Sequence, residues 1–346
     1  MNQQVNRVSI PQFNEQKDYL FSAVSNNQLV TGPHLDILEK RLKALFDVKH
    51  VILTGNCFGA LLISLMTGEG RYRHVLTSAV GTCFAIVNAI KAAGAAPCFV
   101  DVGNACDMSI KESSEDYRSD EAIIAPNLFG VICPMIKNKM SRFVIEDSAQ
   151  AFLSRSVMNT KADVIALSFY PSKVANGIDG GAILTNSEEI ASRAKRLVRY
   201  TDQKEYEEKP RYNYKMANIN AAFALGTLEN LDFLRAKIMN LYQRMSGNKI
   251  WRSKGLEVIR LIQGEAPSKF MVLCQTKDTR NKLLEHLITR NVDACKELVW
   301  LAAESERSKF PNAKKWVEQS LSIPFHPLLS DIDLVHIETA LESFKL

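Results

Sequence analysis

Through the first half of the chain, short apolar runs alternate with stretches whose apolar residues recur every three or four positions. The runs at 51–53, 74–78, 97–100, 122–125, 143–145 and 164–169 predict strands, and the periodic stretches at 35–46, 59–66, 81–93 and 188–200 predict helices. In 35–46, Leu35, Leu38, Leu42, Leu45 and Phe46 share one face, and Gly94 follows 81–93 as a helix-ending glycine does. Apolar strands separated by helices predict an α/β fold around a mostly parallel sheet covered on both sides. From 221 to 245, Leu225, Leu228, Leu231, Leu234, Ile238 and Leu241 predict one long amphipathic helix joining this domain to a second. Beyond it, a strand at 270–275 and a helix at 282–290 predict a small α/β domain. The expected division is 1–235 and 236–346.

Two strand ends carry the chemistry. The run at 143–145 stops at Glu146 and Asp147, and the run at 164–169 leads to Ser168 and Lys173. In open α/β sheets ligands sit beyond the carboxyl ends of strands, so an acid and an amine at two such ends can face one pocket. Pyridoxal phosphate asks for that pair: a lysine to form a Schiff base and a carboxylate to keep the pyridine nitrogen protonated. By themselves an aspartate and a lysine read first as ordinary exposed loop charges. Strand, turn and helix at 51–66 add a helix start whose backbone N–H groups and dipole suit an anion.

The wording of these segments is more specific. EDSAQA at 146–151, SFYPSK at 168–173 and DGGAILTN at 179–186 resemble, in order and spacing, the central signature of the DegT/StrS family of sugar aminotransferases. That resemblance implies Lys173 as the Schiff-base lysine, Asp147 at the pyridine nitrogen, Gln150 beside the ring's phenolic oxygen and Ser168 on the phosphate. It extends to NQLVTGP at 27–33, to AAGAAPCFVDV at 92–102 and to LSIPFHPLLSDIDLVHI at 321–337, where His326 is a candidate for the substrate. Two places depart from the family pattern. Asn56, Cys57 and Phe58 stand where its phosphate turn usually reads Ser-Gly-Thr, and Cys83 stands where an aromatic stacks on the ring, unless Phe84 supplies that ring. Asn127, in a segment similar to the family's HLYG, reads either as a substrate contact or as a loop cap. YNYKM at 212–216 resembles the family's YNYRM, which implies that Asn213 reaches the cofactor phosphate of a partner subunit.

The implied protein is an aspartate-aminotransferase-like (fold type I) enzyme, with a large α/β/α domain and a small C-terminal one, working as a homodimer with shared active sites. The implied reaction moves the amino group of L-glutamate to a nucleotide-linked keto-deoxysugar, with a dTDP-4-keto-6-deoxyhexose as first choice and a bacterial surface polysaccharide as destination. A 3-keto sugar, a UDP-sugar or an aminocyclitol precursor would use the same motifs. Of two rival readings, a sugar dehydratase of the same fold carries histidine in place of Lys173, and a non-catalytic binding or regulatory protein would keep the fold without the chemistry.

Composition narrows the partners. The 346 residues carry 43 basic and 38 acidic side chains, a net charge of +5 scattered along the chain, which gives nucleic acid no dense basic tract to bind. Arg193 and Arg211 bracket a stretch that reads either as a solvated face or as a place for nucleotide phosphates. Seven cysteines without a C-x-x-C pair predict reduced thiols, and the six histidines have no metal spacing, so no metal is expected. The polar start and the absence of an apolar run of about 20 residues predict a cytoplasmic protein without a membrane span.

Overall fold

A computed structural model describes residues 4–68, 72–108, 121–134, 143–154, 161–199, 212–259 and 261–345. Its strands are β1 (His50–Thr54), β2 (His74–Ser78), β3 (Val80–Gly81), β4 (Ala96–Val100), β5 (Glu121–Pro126), β6 (Phe143–Asp147), β7 (Val164–Ser168), β8 (Gly181–Thr185), β9 (Glu257–Val258), β10 (Phe270–Leu273), β11 (Val299–Trp300) and β12 (Ser320–Ile323). The helices are α1 (Asn14–Ser25), α2 (Pro33–Phe46), α3 (Cys57–Met66), α4 (Ala85–Ala92), α5 (Glu188–Val198), α6 (Asn218–Leu228), α7 (Leu231–Gly247), α8 (Ile250–Ser253), α9 (Lys277–Thr289), α10 (Pro311–Gln319) and α11 (Asp331–Glu342).

Seven strands form one sheet in the order β1-β8-β7-β6-β5-β2-β4. Six share a direction, while β8 runs antiparallel to both β1 and β7. Strand pleating divides each run between two cores. Val51 and Leu53 of β1, with Ile165 and Leu167 of β7, pack under α2 and α6, whereas Ile52, Val164 and Ala166 pack under α3, α4 and α5. Coverage on both faces explains why these strands read as continuous apolar runs. The shared direction also sends the carboxyl ends of β1, β6 and β7 to one edge of the sheet. Gly181, at the start of β8, pairs there with Thr54 on one side and Ser168 on the other.

The 221–245 helix divides in two. Leucines three apart drift around a helix of 3.6 residues per turn, so one straight helix cannot hold them on one face. The break at Glu229 and Asn230 resets the phase: Leu225 of α6 joins the large-sheet core, while Leu234, Ile238 and Leu241 of α7 join the core around β10. Asn230 steadies the break by donating from Nδ2 to the Gly226 carbonyl at 3.2 Å. The stretch at 81–93 also starts later than its pattern predicts, because Val80 and Gly81 leave the helix to pair with β11.

The smaller unit is an antiparallel sheet in the order β12-β10-β9 with α8, α9, α10 and α11. Val5 belongs to its core and bridges Val292, so the chain's beginning is bound to its C-terminal part. The two units are also tied through Asp101, whose carboxylate accepts the Asn312 and Ala313 amides at 3.0 and 2.7 Å at the start of α10. Phe129 provides a third link: its carbonyl accepts the Ser268 amide at 3.0 Å, and a Cβ on adjacent Gly130 would sit 2.0 Å from the Ala266 carbonyl oxygen.

Ile178, between Lys173 and β8, holds φ at 67° with its side chain 44% exposed. The left-handed region costs an L-residue about 1–2 kcal/mol, and glycine returns about 0.5–1 kcal/mol of that in unfolded-chain entropy. Ile178→Gly is therefore expected to raise the urea midpoint of unfolding by a gain of up to about 1 kcal/mol, with an unchanged slope. A lower midpoint would mean that the isoleucine side chain stabilises the fold in a way its exposure does not account for.

Candidate active site

Where the strand ends meet, a cavity of about 480 Å³ opens, within the range of small-molecule sites. Asn56, Cys57, Phe58, Cys83, Asp147, Gln150, Ser168 and Lys173 all line it.

Asp147 ends β6 on the cavity wall. Its Oδ1 accepts the Ala149 amide at 3.0 Å and faces the Cys57 thiol at 4.0 Å, so both contacts fall on one oxygen of a carboxylate that lines the cavity. Burial raises the Asp147 carboxyl above its ordinary value, against the Ala149 hydrogen bond and the charge of Lys173, which lower it. Burial likewise pushes the Cys57 thiol well up, helped by the Asp147 charge, so Cys57 stays protonated. Gln150 is fixed at both ends of its amide: Nε2 donates to Thr82 Oγ1 at 2.7 Å, and Oε1 accepts the Phe129 amide at 2.9 Å.

The start of α3 forms another wall. Asn56 caps it, with Oδ1 accepting the Gly59 amide at 2.8 Å and its carbonyl accepting the Ala60 amide at 3.1 Å. Of the amides that a helix start leaves without intrahelical partners, this leaves those of Cys57 and Phe58 for a ligand. A Cβ on Gly181 would lie 2.5 Å from the Asn56 backbone, so only glycine lets β8 come this close to the turn. Ser168 completes the wall with a buried side chain, and Lys173 stands in the loop that follows β7.

These residues fit pyridoxal phosphate. A helix start with unused amides beside a serine suits a dianionic phosphate, an anchored carboxylate on the cavity wall suits a pyridinium N–H, and the lysine suits the aldehyde. Cys83 lines the cavity and Phe84 does not: Phe84 precedes α4 with its ring 54% exposed.

Other sequence candidates lie elsewhere. Asn127 is buried and fully engaged, donating to Glu146 Oε1 at 2.5 Å and Ser148 Oγ at 3.1 Å while its oxygen accepts the Cys133 amide at 2.8 Å. It is a structural clamp at the end of β5, off the cavity wall. Arg193 donates to the Thr67 carbonyl at 2.9 Å and pairs with Glu189 at 2.8 Å, at the far end of α3, about 15 Å by helix rise from the start of that helix. Arg211 lies outside the described residues. His326 lines a separate cavity of about 60 Å³ behind the Lys173 loop, with Nε2 3.1 Å from the Asn6 carbonyl. Burial lowers its pKa, against that hydrogen bond and the charge of Asp333. Asn213 is bonded to Lys215 outside the cavity.

Sequence reading missed Thr82, Lys269 and Glu297 on the cavity wall. No local pattern marks them, since each arrives from a different part of the chain. Among the described residues, no group of three or more His, Cys, Asp or Glu gathers as a metal site would, and no helix is long and apolar enough to cross a membrane.

The model of the DegT/DnrJ/EryC1/StrS aminotransferase family matches residues 12–342. The GDP-perosamine synthase of Escherichia coli O157:H7 is 25% identical, covering 95% of each chain, and the dTDP-4-amino-4,6-dideoxy-D-glucose transaminase of Shigella dysenteriae is 27% identical, covering 99% of this chain and 98% of its own. Among solved structures, Helicobacter pylori PseC, an aminotransferase involved in the biosynthesis of pseudoaminic acid, superposes with a TM-score of 0.86 at 19% identity, over 99% of this chain and 100% of that one. The chain thus has the fold-type-I architecture its motifs imply and belongs to the DegT/DnrJ/EryC1/StrS family of pyridoxal-phosphate-dependent aminotransferases that act on nucleotide sugars.

Proposed function

We propose that this enzyme transfers the amino group of L-glutamate to dTDP-4-keto-6-deoxyglucose, giving the 4-amino sugar for a bacterial surface polysaccharide. The observation behind the chemistry is the meeting of Lys173, the anchored carboxylate of Asp147 and the start of α3 around one cavity. Behind the choice of sugar stands the 27% identity, over almost the whole chain, to a dTDP-4-amino-4,6-dideoxy-D-glucose transaminase.

Bound pyridoxal phosphate supplies an electron sink for the carbanion at the reacting carbon. The chain's own residues do the rest. Asp147 would keep the pyridine nitrogen protonated, Gln150 would approach the phenolic oxygen from its fixed amide, and Ser168 with the Cys57 and Phe58 amides would hold the phosphate. Cys83, on the cavity wall, would stand where the family's stacking aromatic does. Lys173 Nζ would take the proton from the donor's α-carbon and, in the second half-reaction, return one to C4 of the sugar.

The working unit in this reading is a cytoplasmic homodimer, with Asn213 completing the partner's phosphate site and the large and small domains dividing near residue 235. The surface position of Asn213 supports it, as do the exposed apolar side chains of Phe21, Val24, Leu29 and Val30.

The test is a two-stage incubation. The protein loaded with pyridoxal phosphate is expected to lose its visible absorption on addition of L-glutamate and then to aminate dTDP-4-keto-6-deoxyglucose at C4, read by NMR of the product. Amination at C3, or turnover only with a GDP- or UDP-linked sugar, would replace this substrate with that one.

A further inference from the structure

Two cations line the cavity among the described residues, Lys173 and Lys269. Lys269 comes from the start of β10 and pairs with Glu297, Nζ to Oε1 at 3.1 Å, with side chains only 19% and 15% exposed. An ion pair this far from water adds little stability relative to apolar packing, so its presence on a substrate cavity calls for another explanation.

Glu297 has further support on its other side. The Cys295 thiol donates to its Oε2 at 3.1 Å, and Arg7 stands near enough to feel its charge. Burial would raise the Glu297 carboxyl, but Lys269, the Cys295 thiol and Arg7 together hold it below the ordinary glutamate value. If Lys269 turns away, the Cys295 thiol and Arg7 remain beside Glu297 as partners. Lys269 carries a point charge on a flexible four-carbon stem, suited to exchanging one carboxylate for another.

An aminotransferase of this type admits two unlike substrates to one cavity in turn. The donor amino acid brings carboxylates, and the sugar ring at the reacting centre brings hydroxyls and a ketone. We infer that the Lys269–Glu297 pair is a carboxylate-exchange latch, in which a carboxylate of the amino donor displaces Glu297 from Lys269 and the pair re-forms when the uncharged sugar ring occupies the cavity. The inference rests on the donor reading given above.

Glutarate, a dicarboxylate without an amine, tests the latch separately from the reaction. With the cofactor-loaded enzyme, glutarate is expected to raise the thermal midpoint. Lys269→Met should weaken glutarate binding by about 10- to 100-fold, the worth of one charge-assisted contact, and Lys269→Arg should restore most of it. Glu297→Gln, which removes the competitor, should tighten glutarate binding. In the glutamate half-reaction, Lys269→Met should raise the L-glutamate concentration for half-maximal rate by a similar factor. Glutarate that fails to bind the wild type, or binds it and Lys269→Met equally, would overturn the latch. A wild type that binds glutarate but is not converted by L-glutamate would instead remove the donor reading, and the glutarate comparison would still decide the role of Lys269.

Discussion

Lys173→Ala is expected to lower amino transfer by about four orders of magnitude or more, because one side chain serves both as the covalent anchor of the cofactor and as the proton carrier of each half-reaction. The substitution should leave the fold intact: Lys173 lies in a loop, and its backbone amide, which donates to the Tyr170 carbonyl at 2.8 Å, is kept by alanine. The measurement pairs single-turnover kinetics with the visible spectrum of protein supplied with pyridoxal phosphate. Loss of turnover together with the lysine-dependent absorption, and an unchanged far-ultraviolet circular dichroism spectrum, is the expected result. Activity at the wild-type level would end the catalytic assignment of Lys173.

Asp147→Asn is expected to separate activity from stability. Amide cannot hold a pyridinium proton as carboxylate does, so transfer should fall by about 10³-fold, as when a preorganised electrostatic partner is removed. The effect on the cofactor-free protein has the opposite sign. Burial raises the Asp147 carboxyl above its ordinary value of 3.8, so the folded chain binds this proton more tightly than the unfolded one. The stabilising contribution is complete below the unfolded value and is lost as pH rises through the folded one; at neutral pH the ionised group weakens the apo fold. Asparagine removes that penalty. The apo variant should therefore melt no lower than wild type at neutral pH, and the difference between them should shrink as pH falls toward the unfolded value. An apo variant that melts well below wild type at neutral pH would mean that the carboxylate is needed for packing.

What could be read from the sequence was what neighbours in the chain decide. Asp147, Gln150, Ser168 and Lys173 lie at or just beyond two strand ends, and parallel alignment of β6 and β7 suffices to bring them to one cavity. The reversed direction of β8 has no such local mark, since a short buried strand reads alike in either orientation. The break between α6 and α7 depends on two cores competing for one leucine series. Thr82 reaches Gln150 across 68 residues, and Lys269 and Glu297 join the wall from the smaller unit, so their roles exist only once the chain has folded. Asn127 and Arg193 show the converse: their residue types suit a ligand, but the protein's own backbone and carboxylates already occupy them.

The attachment of Val5 to the core around β10 sets a timetable for biosynthesis. Val5 exchanges hydrogen bonds with Asn291 and Asp293, at 2.8 and 2.9 Å, and Val8, Ser9, Ile10, Pro11 and Phe13 that follow wall the small cavity behind Lys173. At about 5–20 residues per second, a ribosome needs roughly 15–60 s to travel from one partner to the other. During that interval the large sheet can assemble, but Val5 lacks the backbone partners it has in the folded chain. The rear wall of the lysine loop is thus among the last parts of the enzyme to close, long after the strands that lead to Asp147 and Lys173 have been made.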